Sequence, residues 1–541
     1  MKNGCLTLLV LISSLSGIEA ASNAESEGER WWAYVEKLAD DRMEGRLTGS
    51  EAYTRAAGYV AGEFARTGLR PAGVKGFFQP IKFSVRRVRE ELCSLAIVRD
   101  GQAEPLSLAG DANFGLPADM AETIEAPAVF VGHGLVIPEL GIDDLAGLDL
   151  RGKIALYLSG GPKSIPGPIK AHYSATKQRW QALHRAGAVG VAALLNPKSS
   201  DVPWSRSTLA RLQPTMSLTE KRLNDAAGMK ISLRINPANA DKFLAGTGQN
   251  ITELLKLADE DKSLPRFPLQ VIVRAKMAAR KSTVSSMNVA ALLPGSDSVL
   301  KNEYVVMSAH LDHLGIGEPI NGDKIYNGAM DNAAGVASLL QIAHWLGSFN
   351  RPPKRSVLFL AVTGEEKGLL GSKYFASHPT VPNSAIVADV NIDMFLPLFP
   401  LKQIVVFGLD ESTLGDQMRS ICSGFGIQPQ PDPEPDRNRF IRSDQYSFIQ
   451  RGIPALAFGF GCQADSPEQK LIREWLKTRY HAPSDDLQQP VNKQAAAQFN
   501  HVALTLVERI ANDLERPSWK ASSFFRRYAE PSSAKEMAKP L

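Results

Sequence analysis

EYVVMSAH (303–310), GVASLLQIAHWLGSF (335–349) and RSVLFLAVTG (355–364) together decide the fold. The first and third are apolar runs of strand length with polar residues at their ends. Between them Val336, Leu339, Leu340, Ala343 and Leu346 recur at three- and four-residue spacings, which makes one apolar helical face. Two more apolar runs follow, SAIVADVNIDM (384–394) and GIPALAFGFG (452–461). Buried strands alternating with amphipathic helices predict an α/β domain, a mostly parallel, doubly wound sheet with helices on both faces. Ligands of such sheets bind outside the carboxyl ends of the strands.

Residues able to do chemistry stand where these runs end. They are His310 and Asp312 in SAHLDHLG, Asp331 in NGAMDNAAG, Glu365 and Glu366 in AVTGEEKGLLGS, Asp393 in VNIDM, and His481 in RYHAPSDD. Each has an ordinary reading on its own: a hydrogen-bonded histidine, a helix N-cap at Asp331, a solvated turn at Glu365–Glu366, a salt-bridged acid at Asp393. Gathered at one sheet edge they read differently. Burying several carboxylates together is expensive unless cations neutralise them. Imidazoles and carboxylates suit divalent cations such as zinc, and a spare carboxylate could activate a water. The set points to a hydrolase with two metal ions.

The 541 residues exceed one ordinary core and predict two or three domains. A hydrophobic fraction of 44% and a charged fraction of 22% are those of a globular chain. A net charge of +4, without a basic stretch interleaved with aromatics, gives no support to a nucleic-acid partner. Residues 1–21 carry Lys2, a short apolar stretch and then Ala20–Ala21, which reads as a removable signal peptide and places the mature chain in the periplasm or outside the cell. No other run reaches transmembrane length. Residues 22–121 begin the main domain with a helical pattern over AYTRAAGYVAGEFARTGL (52–69) and a strand over FFQPIKFSVRRV (77–88). Short β-rich runs around one helix at 122–264 predict an inserted module, tolerated where entering and leaving chain ends lie close. The main domain resumes over 265–515, and 516–541 is a polar tail. Within residues 265–515, QPQPDPEPDRNR (428–439) predicts a stiff extended loop. His133, His172 and His184 lack metal-ligand spacing and are taken as structural. Of the four cysteines, Cys422 and Cys462 are the pair that could bridge, with two buried thiols the simpler reading.

Five motifs, SAHLDHLG, GAMDNAAG, TGEEKGLLGS, NIDM and YHAPSDD, resemble in order those of peptidase family M28, the zinc aminopeptidases. LADDRMEGRLTGSEAY (38–53) is similar to that family's amino-terminal segment, and 142–162 with 181–197 resemble a protease-associated domain. The resemblance implies a zinc-dependent aminopeptidase acting on peptides with two zinc ions per chain. Asp331 would bridge them, His310 and Asp393 would complete one site, and Glu366 and His481 the other. Glu365 would be the general base toward a water held between the metals, and Asp312 an acid fixing the ring of His310. His313 could instead be a ligand, but its spacing reads as a loop residue. Met330 and Ala334 stand where the family often has an acid and a serine, and neither removes a ligand. Ser443–Asp444 would border the site, or form an Asx-type turn.

The same metal motifs would serve a carboxypeptidase or amidohydrolase, whose pocket would anchor a carboxylate through arginine rather than an amine through acid. Arg437, Arg439 and Arg442 keep that reading open. A non-catalytic receptor-like scaffold predicts lost ligands, and none of the six key positions is lost. The inserted module would limit access or orient long substrates.

Overall fold

The computed structural model describes residues 25–199, 202–437 and 439–529. Residues 1–21, read above as a signal peptide, and the tail beyond 529 lie outside them. Three of the apolar runs form the middle of a ten-stranded sheet, Ser356–Val362, Tyr304–His310 and Ile386–Asn391, side by side and parallel. Nearly every residue in them is buried, as expected of strands covered on both faces. Ala455–Gly461 extends the parallel block. Helix Ala334–Gly347 is buried almost all round, and helices Glu51–Arg66 and Lys493–Asn512 pack into the same core. Their starts are capped by Ser50 and Asn492, whose side chains accept N–H bonds from Tyr53 and Ala495.

Beyond its parallel centre the sheet is mixed. On one side Ala279–Leu293, Phe78–Val88 and Thr215–Leu218 run antiparallel, and on the other Gln403–Phe407 opposes Ala455–Gly461. Alternation along the chain reports βαβ units, but flanking hairpins carry no such mark. The proline-rich stretch departs from the loop reading at its start. Gln428–Gln430 pairs with Gln403–Phe407 at the sheet edge, where Pro429's missing N–H is tolerated.

The chain leaves this sheet at Val88 and returns at Ala279, and these two residues are direct partners across the long antiparallel pair. Between them lies a second, eight-stranded sheet built from strands between Ser94 and Lys276, a wider span than 122–264. This region is not self-contained, because Thr215–Leu218 crosses back to pair with Phe78–Val88. Cys422 and Cys462 are free thiols. No helix among the described residues is long and apolar enough to cross a membrane.

Candidate metal centre

Three parallel strands deliver the first residues. His310 ends its strand, Asp393 follows Ile386–Asn391 by two residues, and Glu365 and Glu366 follow Ser356–Val362 by three and four. Asp331 comes from the turn that opens helix Ala334–Gly347. Gly335 lets that first turn press onto the neighbouring strand end, because a Cβ there would lie 2.3 Å from Asn332 Oδ1 and 2.6 Å from the Ile392 carbonyl. Asn332 in turn ties the two loops, donating to the Ile392 carbonyl (2.9 Å) and accepting from Met394 N (3.2 Å). His481 follows helix Pro467–Thr478 with φ at 56°, and Met394 and Leu396 beside Asp393 share that left-handed region. Such backbones persist only where surrounding structure enforces them.

The side chains meet in two groups that share Asp331. His310 Nε2 lies 3.2 Å from Asp331 Oδ1 and 3.2 Å from Asp393 Oδ1. His481 Nε2 lies 3.3 Å from Asp331 Oδ2 and 3.3 Å from Glu366 Oε2. The two oxygens of Asp331 therefore face different groups, as a bridging carboxylate requires. Glu365 belongs to neither, with its Oε2 4.0 Å from His310 Nε2.

The charge balance marks a site for cations. Burial works against a charged His310, yet the nearby Asp393 and Glu365 charges and the bond to Asp331 raise it well above its usual value. Burial likewise opposes charge on His481, and Glu366 and Asp331 outweigh it and raise that ring too. Burial disfavours an ionised Asp331, but His313, His310 and His481 hold it well below the carboxylate range. Burial raises Glu365 well above that range, helped by Glu366, Asp393 and Asp444. Protons thus balance a nest of carboxylates. Divalent cations would displace them, and this mixed nitrogen and oxygen donor set fits zinc.

Two expectations change. The ring of His310 is held through Nδ1 by the main-chain carbonyl of Asp312 at 3.0 Å, not by the Asp312 carboxylate. That carboxylate instead accepts from Thr48 Oγ1 (2.9 Å) and from the Glu365 main-chain N–H (3.1 Å), so it holds the turn that carries Glu365. His313 is a loop residue, but a fully buried one, and its Nδ1 stands 2.7 Å from Glu366 Oε1. Its Nε2 has no hydrogen-bond partner. The loop folds inward because His313 N donates to the Arg46 carbonyl at 3.3 Å, a long-range pairing that spacing cannot reveal.

Three supporting residues escaped sequence reasoning. Asp485 accepts from Met330 N (2.9 Å) and Asp331 N (3.0 Å) and fixes the loop that carries Asp331. Its place four residues after His481 was a usable signal. Arg46 is fully buried and binds four main-chain carbonyls, those of Leu38, Leu311, Asn327 and Gly328. Thr48 completes the set. Asp444 heads the short helix Gln445–Ile449 without capping it through its side chain, so the Asx-type turn is not formed. Its carboxylate is buried, and burial, against the pull of His310 and Ser372, pushes it up to about 7. Ser443 Oγ accepts from Asn391 Nδ2 at 2.8 Å.

A cavity of about 130 Å³ opens on Asp331, Glu365, Asp393 and His481, with Met394, Leu396, Val405, Phe407, Phe460 and Leu476 as apolar wall. Arg439 and Arg442 stand at it as well, Arg439 paired with Glu434 at 3.3 Å.

Among solved structures, an aminopeptidase from Aneurinibacillus sp. superposes with a TM-score of 0.54 at 20% identity, covering 90% of this chain and 95% of that one. The likeness in fold therefore takes in both sheets. Among curated relatives, leupeptin-inactivating enzyme 1 of Streptomyces exfoliatus is 28% identical over 174 residues, 32% of this chain and 35% of the relative. A probable leucine aminopeptidase 2 of Aspergillus oryzae is 27% identical over 252 residues, 44% of this chain and 47% of the relative. The chain thus matches about a third to a half of the length of these relatives. The model of peptidase family M28 matches residues 288–507, a span that holds every residue of the two groups around Asp331. With its motifs in order and its carboxylates converging at the ends of three parallel strands, the chain is similar over residues 288–507 to peptidase family M28.

Proposed function

We propose that this protein is a two-zinc aminopeptidase that removes an amino-terminal, apolar residue from peptides. The observation that carries the reading is Asp331 turning one oxygen to His310 and Asp393 and the other to Glu366 and His481, with Glu365 left over. His310, Asp331 and Asp393 would hold one ion, and Asp331, Glu366 and His481 the other, with His313 orienting Glu366. When bound, the ions supply Lewis acidity to the scissile carbonyl and the attacking water. Glu365 takes the proton from that water and passes it to the leaving amine. Burial and neighbouring acids hold its carboxyl up, so it keeps the proton affinity the transfer needs. The apolar cavity takes the terminal side chain, and the carboxylates beside it favour an amine over a carboxylate as the anchored end. The relative named as a leucine aminopeptidase supports the same end and an apolar residue. Residues 1–21 are proposed as a signal for secretion or export to the periplasm.

The mature chain should release the amine from leucine anilide, and a chelator should stop it until zinc is restored. Cleavage confined to amino-blocked peptides bearing a free carboxylate would instead establish a carboxypeptidase. Asp485→Asn should weaken zinc binding by roughly 10–100-fold, because one N–H of the Met330–Asp331 turn then meets an amide donor. Titration with a competing zinc indicator reads this, and unchanged affinity would remove Asp485 from the supporting set.

A further inference from the structure

Next to the apolar cavity, and sharing Arg442, Tyr480 and His481 with it, lies a second cavity of about 360 Å³. It sits between the two sheets' regions: Arg206 and Arg234 line it from the second, Arg442 and Glu318 from the first. Three guanidinium groups therefore face one carboxylate. Among the described residues neither Arg206 nor Arg234 has an acidic partner in an ion pair. Arg206 reaches across to donate to the carbonyls of Leu476 (2.9 Å) and Lys477 (2.5 Å), and its buried Nε has no hydrogen-bond partner. Arg234 projects from strand Ile231–Ile235 at an exposed position that opens into the cavity. The protein crowding these groups lowers both below the usual arginine value. Two guanidinium groups without an acidic partner at a cavity wall offer an entering anion charge-assisted hydrogen bonds.

We propose that this chamber binds a carboxylate carried by the leaving part of the peptide, so that the enzyme prefers short peptides whose free carboxyl end, or an acidic side chain, follows the cleaved bond closely. The inference rests on the aminopeptidase reading above. With the terminal side chain in the apolar cavity and the scissile bond beside His481, the rest of the chain has the shared wall of Arg442, Tyr480 and His481 to pass. An extended peptide advances about 3.3–3.6 Å per residue, and because the two cavities share this wall, a carboxylate close behind the cleaved bond is the one placed toward the arginines.

The test compares kcat/KM for leucyl-glycyl-glycine, its carboxyl amide, and leucyl-glycyl-glutamate diamide, in which only the amide-blocked ends remain neutral and acid is absent. A fourth peptide, leucyl-glycyl-glutamic acid α-amide, returns one side-chain carboxylate. The free acid should exceed the neutral amides at least tenfold, with the preference falling toward unity in Arg234→Gln and largely kept in Arg234→Lys. Recovery of the preference by the side-chain acid assigns the chamber to acidic side chains as well as to the chain end. If Arg234→Gln does not fold, inhibition of the wild type by glycylglycine but not by glycinamide-capped glycine reads the same contact. Equal kcat/KM for acid and amide substrates, with chelator-sensitive leucine release throughout, overturns the chamber proposal and leaves the aminopeptidase standing. No leucine release from any of these peptides overturns the aminopeptidase reading itself.

Discussion

Replacing Glu365 by glutamine should lower kcat by about 10²–10⁴-fold while zinc content and KM stay close to wild type. The side chain lies outside both groups that meet at Asp331, with its nearest histidine contact at 4.0 Å. Glutamine preserves its volume, and the main-chain N–H that Asp312 accepts is untouched. Only the capacity to take a proton is removed. Metal analysis beside steady-state kinetics on leucine anilide decides the matter. Loss of zinc in the variant would make Glu365 a ligand, and unchanged turnover would move the base elsewhere.

Replacing Arg46 by methionine should destabilise the protein by about 3–5 kcal/mol, the scale of removing one member of a buried charged network. The guanidinium donates to four carbonyls on three chain segments, which would be left buried without their donor. Burial lowers it to about 10, while Asp485, Asp312 and Asp331 pull it back, so it remains cationic at neutral pH. It is also the fixed positive charge behind the carboxylate cluster. Zinc should therefore recover part of the lost stability. Lysine should not substitute, because one ammonium on a flexible stem cannot span the four acceptors. Urea unfolding with and without chelator measures both effects, and a chelated variant as stable as the wild type would refute the role.

Much of the centre was legible because its signals are local. A run such as VLFLAV (357–362) is apolar at every position only if both faces are covered, and the chemistry sits directly past its end. Asp393 and Glu366, which the structure brings to His310 and His481, stand out in this way. His313 was not, because its inward turn depends on a main-chain contact with Arg46, far away in sequence. Nor could the sequence show that Asp312 uses its carbonyl on His310 and its carboxylate on Glu365. Both groups sit on one residue, and only the packed loop chooses between them.

By itself, the sequence determined the α/β alternation, the residues waiting at the strand ends, and the resemblance of those motifs to peptidase family M28. The period of apolar residues and the order of motifs are properties of neighbouring positions. The tertiary structure alone decided the antiparallel flanks of the main sheet, the return of Thr215–Leu218 to it, and the two faces of Asp331. It also decided that Arg206, Arg234 and Arg442, spread over 236 positions by their numbering, line one chamber. Which strand pairs with which, and which charges share a cavity, are settled by contacts between distant segments, and those acquire a free energy only when the chain has packed.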